Sequence, residues 1–285
     1  MNLPPLSDAL LDGFLGDDVD LLDLTTHLVG ISGAAGRMTF KAGTAMVVAC
    51  IEDAARILSR GGADVVLHAA SGDSCAPGAL LLTASGPAGA LLRTWKVAQN
   101  LVEVAAGIAS ATRAIVDAAR AVNPAVAIAC TRKYAPGTKH LSLKSILAGG
   151  AVPHRLGLSD TILLFPEHRA FLAGLSAIEV VGLLARESRE KKIVVEVATV
   201  EEAIAFANAG ADVIQCEKFP PADIEALSKA LAGKSVKPRI AAAGGVNAGN
   251  AARYASAGAD ILVTSAPYWA KPADVSVRIE ATAGG

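Results

Sequence analysis

Apolar runs of three to six residues punctuate the chain after Pro124, at positions 126–131, 162–165, 193–197, 213–216, 240–242 and 261–264. Bounded by turn residues and rich in Val and Ile, they read as buried strands. Helical spacing fills several of the gaps, at 200–209, 221–231 and 248–257, so strand and helix alternate as in β/α units. The pattern predicts an open, six-stranded α/β barrel. A doubly wound sheet is the alternative, and no G-x-G-x-x-G segment is present to support it.

Before Pro124 the pattern is mixed. Ser7 is placed to cap a short helix running to Leu15. Thr44 is placed to cap a longer one, with Met46, Val47, Cys50, Ile51, Ala54 and Ile57 on its apolar face and Gly61-Gly62 at its end. Strands are expected at 65–67 and 80–82, followed by a long Ala-rich helix from Leu91 to about Ala121. The expected division is an N-terminal α/β domain over 1–107 and a catalytic barrel over 108–271, with 272–285 returning to the first.

Composition narrows this picture. In 285 residues, 52% are hydrophobic and only 4% aromatic, so the core must be built from small and branched aliphatics, which suits buried parallel strands. The formal net charge of -1 provides no global field for nucleic acid or an anionic membrane. The uncharged stretch 74–92 is broken by Pro77, Gly78, Gly86, Pro87 and Gly89, which makes it a strand and a turn. The start, Met1 to Pro5, has no basic region, and the scattered Cys50, Cys75, Cys130 and Cys216 show no C-x-x-C spacing. A cytoplasmic protein with reduced thiols is expected.

In parallel α/β folds the site gathers where strands end at their carboxyl side. Here those positions hold Thr131-Arg132-Lys133, Glu196, Glu217, Ala243-Gly244-Gly245 and Thr264-Ser265-Ala266. From Arg132 to Arg155 there are five cations, with His140 and His154, and no acid. Arg132, Lys133 and Arg155 are candidates for an anion-binding cleft, whereas Lys139 and Lys144 fit a solvated helix face. Gly244-Gly245, before a helix expected near Asn247, is either a phosphate loop or a plain turn; the second small-residue loop at Ser265-Ala266 favours phosphate. Glu196 and Glu217 suit Mg²⁺ or ribose hydroxyls, with a buried pair to basic residues as the other reading.

Taken together, Thr131-Arg132-Lys133 with Pro136-Gly137, Gly149-Gly150, His154-Arg155, Gly157-Leu158 and Asp160 resembles the central motif of quinolinate phosphoribosyltransferases. The likeness continues through Asp23-Leu24-Thr25-Thr26, Asn100, Gly107-Ile108-Ala109, Gly210-Ala211-Asp212 and Gly244-Gly245-Val246-Asn247. It implies an open six-stranded barrel with a mixed α/β N-terminal domain. It also implies Mg²⁺-dependent transfer of phosphoribose from phosphoribosyl pyrophosphate to a base, and homodimers with shared sites. On this resemblance Arg132, His154 and Arg155 bind the carboxylates of the base, Thr131 is a further substrate-binding candidate, Lys133 contacts pyrophosphate or ribose, and Glu196 and Glu217 serve ribose and metal. Gly244, Gly245, Ser265 and Ala266 hold the 5′-phosphate, and Lys96 reaches the neighbouring subunit's site.

Departures from the family pattern are Glu217 for Asp, Ala243 for Ser, Ser265 for Gly, Lys96 for Arg and, above all, Phe165 for the barrel lysine. A Phe cannot neutralise a carboxylate, so a base less anionic than quinolinate is expected. The variant pattern, with Trp95 to Asn100, resembles a branch of the family associated with molybdenum transport genes. Loss of the lysine also allows a rival reading, a regulatory protein that binds phosphate or an oxyanion without turnover.

Overall fold

A computed structural model describes residues 4–233 and 237–282. The first three residues of the chain and residues 283–285 of the expected returning tail lie outside the described residues. In chain order the elements begin α1 (Asp8–Asp18), α2 (Leu24–Leu28), β1 (Ala35–Ala42), β2 (Met46–Val47), α3 (Ile51–Arg60), β3 (Asp64–Leu67), β4 (Ser74–Cys75) and β5 (Leu80–Pro87). There follow α4 (Ala88–Arg120), β6 (Ala127–Cys130), α5 (Lys139–Ala148), β7 (Val152–Pro153), β8 (Ile162–Leu164), α6 (Pro166–Arg169) and α7 (Ala177–Glu187). The chain finishes with β9 (Ile193–Val197), α8 (Val200–Asn208), β10 (Val213–Glu217), α9 (Pro221–Ala230), β11 (Arg239–Ala243), α10 (Ala251–Ser256), β12 (Ile261–Thr264) and β13 (Val275–Ala281).

Two compact units result, and neither is continuous in sequence. The first comprises residues 1–113, 135–150 and 267–285. Its antiparallel sheet has the order β13-β1-β5-β3, so the C-terminal strand pairs along β1 from Gly36–Ala281 to Ala42–Val275. Met38, Phe40, Leu81, Leu82 and Leu91 are fully buried in this unit, each contributing about 1.5–3 kcal/mol by leaving water.

Ser7 does cap α1, accepting a bond from the Leu10 amide. Thr44 does not cap α3. That helix starts at Ile51 after Cys50, a non-glycine residue with φ of 56°, while Met46 and Val47 pair antiparallel with Cys75 and Ser74. The apolar run at 46–51 is buried throughout, and such a run does not reveal its own period.

Lys144 is also not on a solvated face. It is 4% exposed and its ammonium binds the carboxylate of Asp53, which is wholly buried and also accepts from the Leu6 amide and Arg56. The charge run at 132–155 therefore splits by burial, with Lys144 serving as an internal tie between α5 and α3.

The second unit comprises residues 114–134 and 151–266. Its parallel sheet runs β7-β6-β12-β11-β10-β9-β8, seven strands where six were expected. The added strand, β7, is two residues long and pairs with the upper end of β6, too short to show a pattern in the sequence. The other six coincide with the apolar runs. Ala241, Ala243 and Val263 form a small apolar cluster with Val213 and Ile261, and the strand ends rise from it. Among the described residues no helix is long and apolar enough to cross a membrane.

Candidate active site

A cleft of about 320 Å³ opens at the carboxyl ends of the parallel strands. It collects Thr131, Arg132 and Lys133 from the end of β6, His154 and Arg155 after β7, and Phe165 after β8. Glu196 comes from β9, Gln215 and Glu217 from β10, Gly244 and Gly245 after β11, and Ser265 after β12. Parallel strands bring these sequence-distant residues together because every strand ends on the same side.

Two further candidates are not among the residues lining this cleft, and one of them, Lys96, was expected to serve the neighbouring subunit's site. Ala266 is not among the lining residues, and its amide is held by Thr264 Oγ1 at 3.1 Å. Lys96, exposed on α4, bonds Gln99 Oε1 at 2.7 Å and lies 4.0 Å from the Trp95 ring centroid; it does not line this cleft either.

One side of the cleft is cationic, with Arg132, Lys133 and Arg155. Arg155 is only 7% exposed, and among the described ion pairs none involves Arg132, Lys133 or Arg155. A nearly buried guanidinium without a carboxylate is costly unless a ligand supplies the counter-charge. Burial first, and then Arg132, make Arg155 easier to deprotonate than an ordinary arginine. Burial and the Arg155 charge likewise lower the His154 pKa, favouring the neutral imidazole.

The acidic side faces it. Glu196 is held above the usual carboxylate range by burial and by Glu217 and Glu167, against the opposing hydrogen bond from Gln215 and the charge of Lys133. Gln215 Nε2 donates to Glu196 Oε2 at 2.7 Å across paired positions of β10 and β9. Gln215 is not among the residues that the sequence pattern marks for the site. It is the polar residue inside an otherwise apolar strand, and that was the available signal. Among the described residues no group of three metal-capable side chains occurs. Two carboxylates in one cleft fit Mg²⁺ bound chiefly through a phosphorylated ligand.

The glycine loop departs from expectation in one respect. The helix after it starts at Ala251, not near Asn247, and is only six residues long. Gly244 and Gly245 both have positive φ, 86° and 84°. A Cβ on Gly244 would come within 2.6 Å of Lys218 Cγ and 2.9 Å of Glu217 Oε1, whereas one on Gly245 would meet nothing within 4 Å. The first glycine allows close packing beneath the loop; the second leaves open space above it. Thr264 Oγ1 donates to the Val246 carbonyl at 2.6 Å and so ties this loop to the one carrying Ser265.

Cysteine chemistry is not prepared here, because burial pushes the thiols of Cys130 and Cys216 up to about 12.

Residues 108–278 match the C-terminal domain of quinolinate phosphoribosyl transferase, and residues 23–106 match its N-terminal domain. The chain belongs to the quinolinate phosphoribosyl transferase family. It is thereby an enzyme of the phosphoribosyltransferase, or pentosyltransferase, class. It is similar to the ModD protein of Rhodobacter capsulatus, 50% identical over 247 residues, which covers 87% of this chain and 95% of the relative. The human nicotinate-nucleotide pyrophosphorylase [carboxylating] is 28% identical over 281 residues, 97% of this chain and 93% of that protein. The crystal structure of NadC from Streptococcus pyogenes shares the fold at a TM-score of 0.89 and 24% identity, covering 99% of this chain and all of that one.

Proposed function

We propose that this cytoplasmic enzyme transfers phosphoribose from phosphoribosyl pyrophosphate, with Mg²⁺, to a heterocyclic base less anionic than quinolinate. The observation that carries the base assignment is Phe165, whose ring lines the cleft with the Arg155 guanidinium 5.4 Å from its centroid. An aromatic ring there offers a stacking surface where a carboxylate would need a cation.

In this reading the 5′-phosphate sits against Gly244, Gly245 and Ser265, and Glu196 and Glu217 orient the ribose hydroxyls. Arg132 and Lys133 face the pyrophosphate, and Thr131, His154 and Arg155 border the base. Mg²⁺ on Glu196 or Glu217 would neutralise pyrophosphate charge. A ring nitrogen attacks C1′ with its lone pair as the C1′–O bond breaks, and that bonding pair leaves on pyrophosphate. The protein positions the partners and stabilises charge; no general base is needed when the attacking nitrogen carries no proton. The active form is a homodimer in which Lys96 enters the partner's cleft, as the family resemblance implies.

The test is incubation with phosphoribosyl pyrophosphate, Mg²⁺ and a panel of heterocyclic bases, followed by pyrophosphate release. Base-dependent release that falls at least about 100-fold in Lys133→Ala supports the transferase. Tight phosphoribosyl pyrophosphate binding without turnover across the panel overturns it in favour of a phosphate- or oxyanion-binding regulator linked to molybdenum uptake.

A further inference from the structure

We infer that Gln215 is a positioning residue of the cleft, its side-chain amide holding the Glu196 carboxylate in the orientation that receives a sugar hydroxyl. The inference rests on the phosphoribosyl reading for what Glu196 touches.

Gln215 lies in mid-β10, 4% exposed, and lines the cleft two residues below Glu217. Its side of the sheet is mixed: Val213 on its own strand and Ala241 directly across on β11 are apolar, while Glu217 two residues on and Glu196 directly across on β9 are carboxylates. Apolar packing against Val213 and Ala241 does not explain a glutamine. The bond to Glu196 does. An ionised carboxylate can only accept, so the amide must present Nε2 to it.

That orientation leaves Gln215 Oε1 buried with no partner. The other buried side-chain polar atom without a partner among the described residues is Arg169 Nε. Arg169 also holds Glu196, donating to its carbonyl oxygen at 3.3 Å and to Glu202 at 3.0 Å. Both unsatisfied groups therefore belong to residues that fix Glu196, one by its carboxylate and one by its main chain. Buried polar groups without partners are few in native proteins, and a catalytic or binding role is one reason they are kept. Glu217 and Glu167 repel the Glu196 carboxylate and Lys133 attracts it, while the Gln215 amide donates to it directly.

The experiment compares Gln215→Met with the unaltered full chain by calorimetry, using ribose 5-phosphate and inorganic phosphate as separate probes. Expected is a roughly tenfold loss of affinity for ribose 5-phosphate, the scale for removing a residue that orients a binding group, with inorganic phosphate affinity unchanged. The melting temperature should change little, because loss of the bond to Glu196 and removal of an unpaired buried acceptor oppose each other. A purely structural role would weaken both probes together. Equal loss for both, or no loss for ribose 5-phosphate, overturns the inference. If Gln215→Met does not fold, Gln215→Asn, whose amide falls one methylene short, is judged by the same two outcomes. Failure of the unaltered protein to bind ribose 5-phosphate while it binds inorganic phosphate removes the phosphoribosyl reading itself, a result distinct from either outcome of the substitution.

Discussion

Arg155 and Phe165 meet across the two ends of the parallel sheet, the guanidinium carbon 5.4 Å from the ring centroid. Arg155 follows β7 and Phe165 follows β8, the first and last strands in the sheet order, so this contact bridges the open side of the barrel mouth. The ring gives the cation a face to rest on but does not neutralise it. Substituting Phe165→Lys should raise affinity for quinolinate about tenfold, roughly 1.4 kcal/mol, by adding a further cation for its carboxylates. Titration calorimetry checks this, and unchanged or weaker binding counts against the role given to position 165.

The glycine loop supplies a second prediction. Gly244→Ala should cost about 1–3 kcal/mol of stability, because it forces a left-handed backbone on alanine and drives its Cβ against Lys218 and Glu217. Gly245→Ala carries the conformational cost without the clash, so it should be the milder of the two. Urea denaturation of both variants ranks them, and the reverse order would contradict the packing described.

His154 makes stability depend on pH in a definite sense. Burial and Arg155 place its folded pKa below the ordinary 6.5. As pH falls through the ordinary value, the unfolded chain takes up a proton that the folded chain refuses. Stability contributed by the neutral ring is thus fully present above 6.5 and is lost as pH falls toward the folded pKa. His154→Gln should flatten the stability profile between about pH 5 and 7. Denaturation at stepped pH tests it; parallel profiles for the two proteins would show that His154 is not held neutral.

Removing the buried tie in the first unit should be more damaging than any change in the cleft. Lys144→Met leaves the wholly buried Asp53 with only Arg56 to balance it, at a cost of about 3–5 kcal/mol. The double variant Asp53→Asn with Lys144→Met should recover part of that loss. A melting temperature unchanged in the single variant would refute the assignment of Lys144 as an internal tie.

Subunit sharing is tested by mixing inactive Lys96→Ala and Lys133→Ala proteins. If Lys96 serves the partner's cleft, hybrid dimers regain one intact site and about a quarter of the unaltered activity after random exchange, since half of the dimers are then hybrids with one site of two intact. No recovery, with hybrids shown to form, removes the shared site.

The strands of the barrel could be read along the chain because each is a short apolar run buried on both faces, and burial of that kind writes itself into composition. The cation cluster and the Gly244-Gly245 loop were legible for a related reason, since the ends of such runs are where a parallel sheet exposes chemistry. Local pattern could not settle whether the buried run around Met46 was helix or strand, because a run without polar positions has no period. Nor could it separate Lys144 from Arg132 and Lys133. All three are cations in one acid-poor segment, and only tertiary packing buries the first against Asp53 while leaving the others at the cleft. Gln215 shows the same division: its sequence signal was one polar residue in a strand, and its meaning came from strand register, which sets it 2.7 Å from Glu196. The chain by itself determined which residue types stand at the strand ends. The fold decided which of them face one another, because pairing between strands depends on contacts far apart in sequence that no local pattern records.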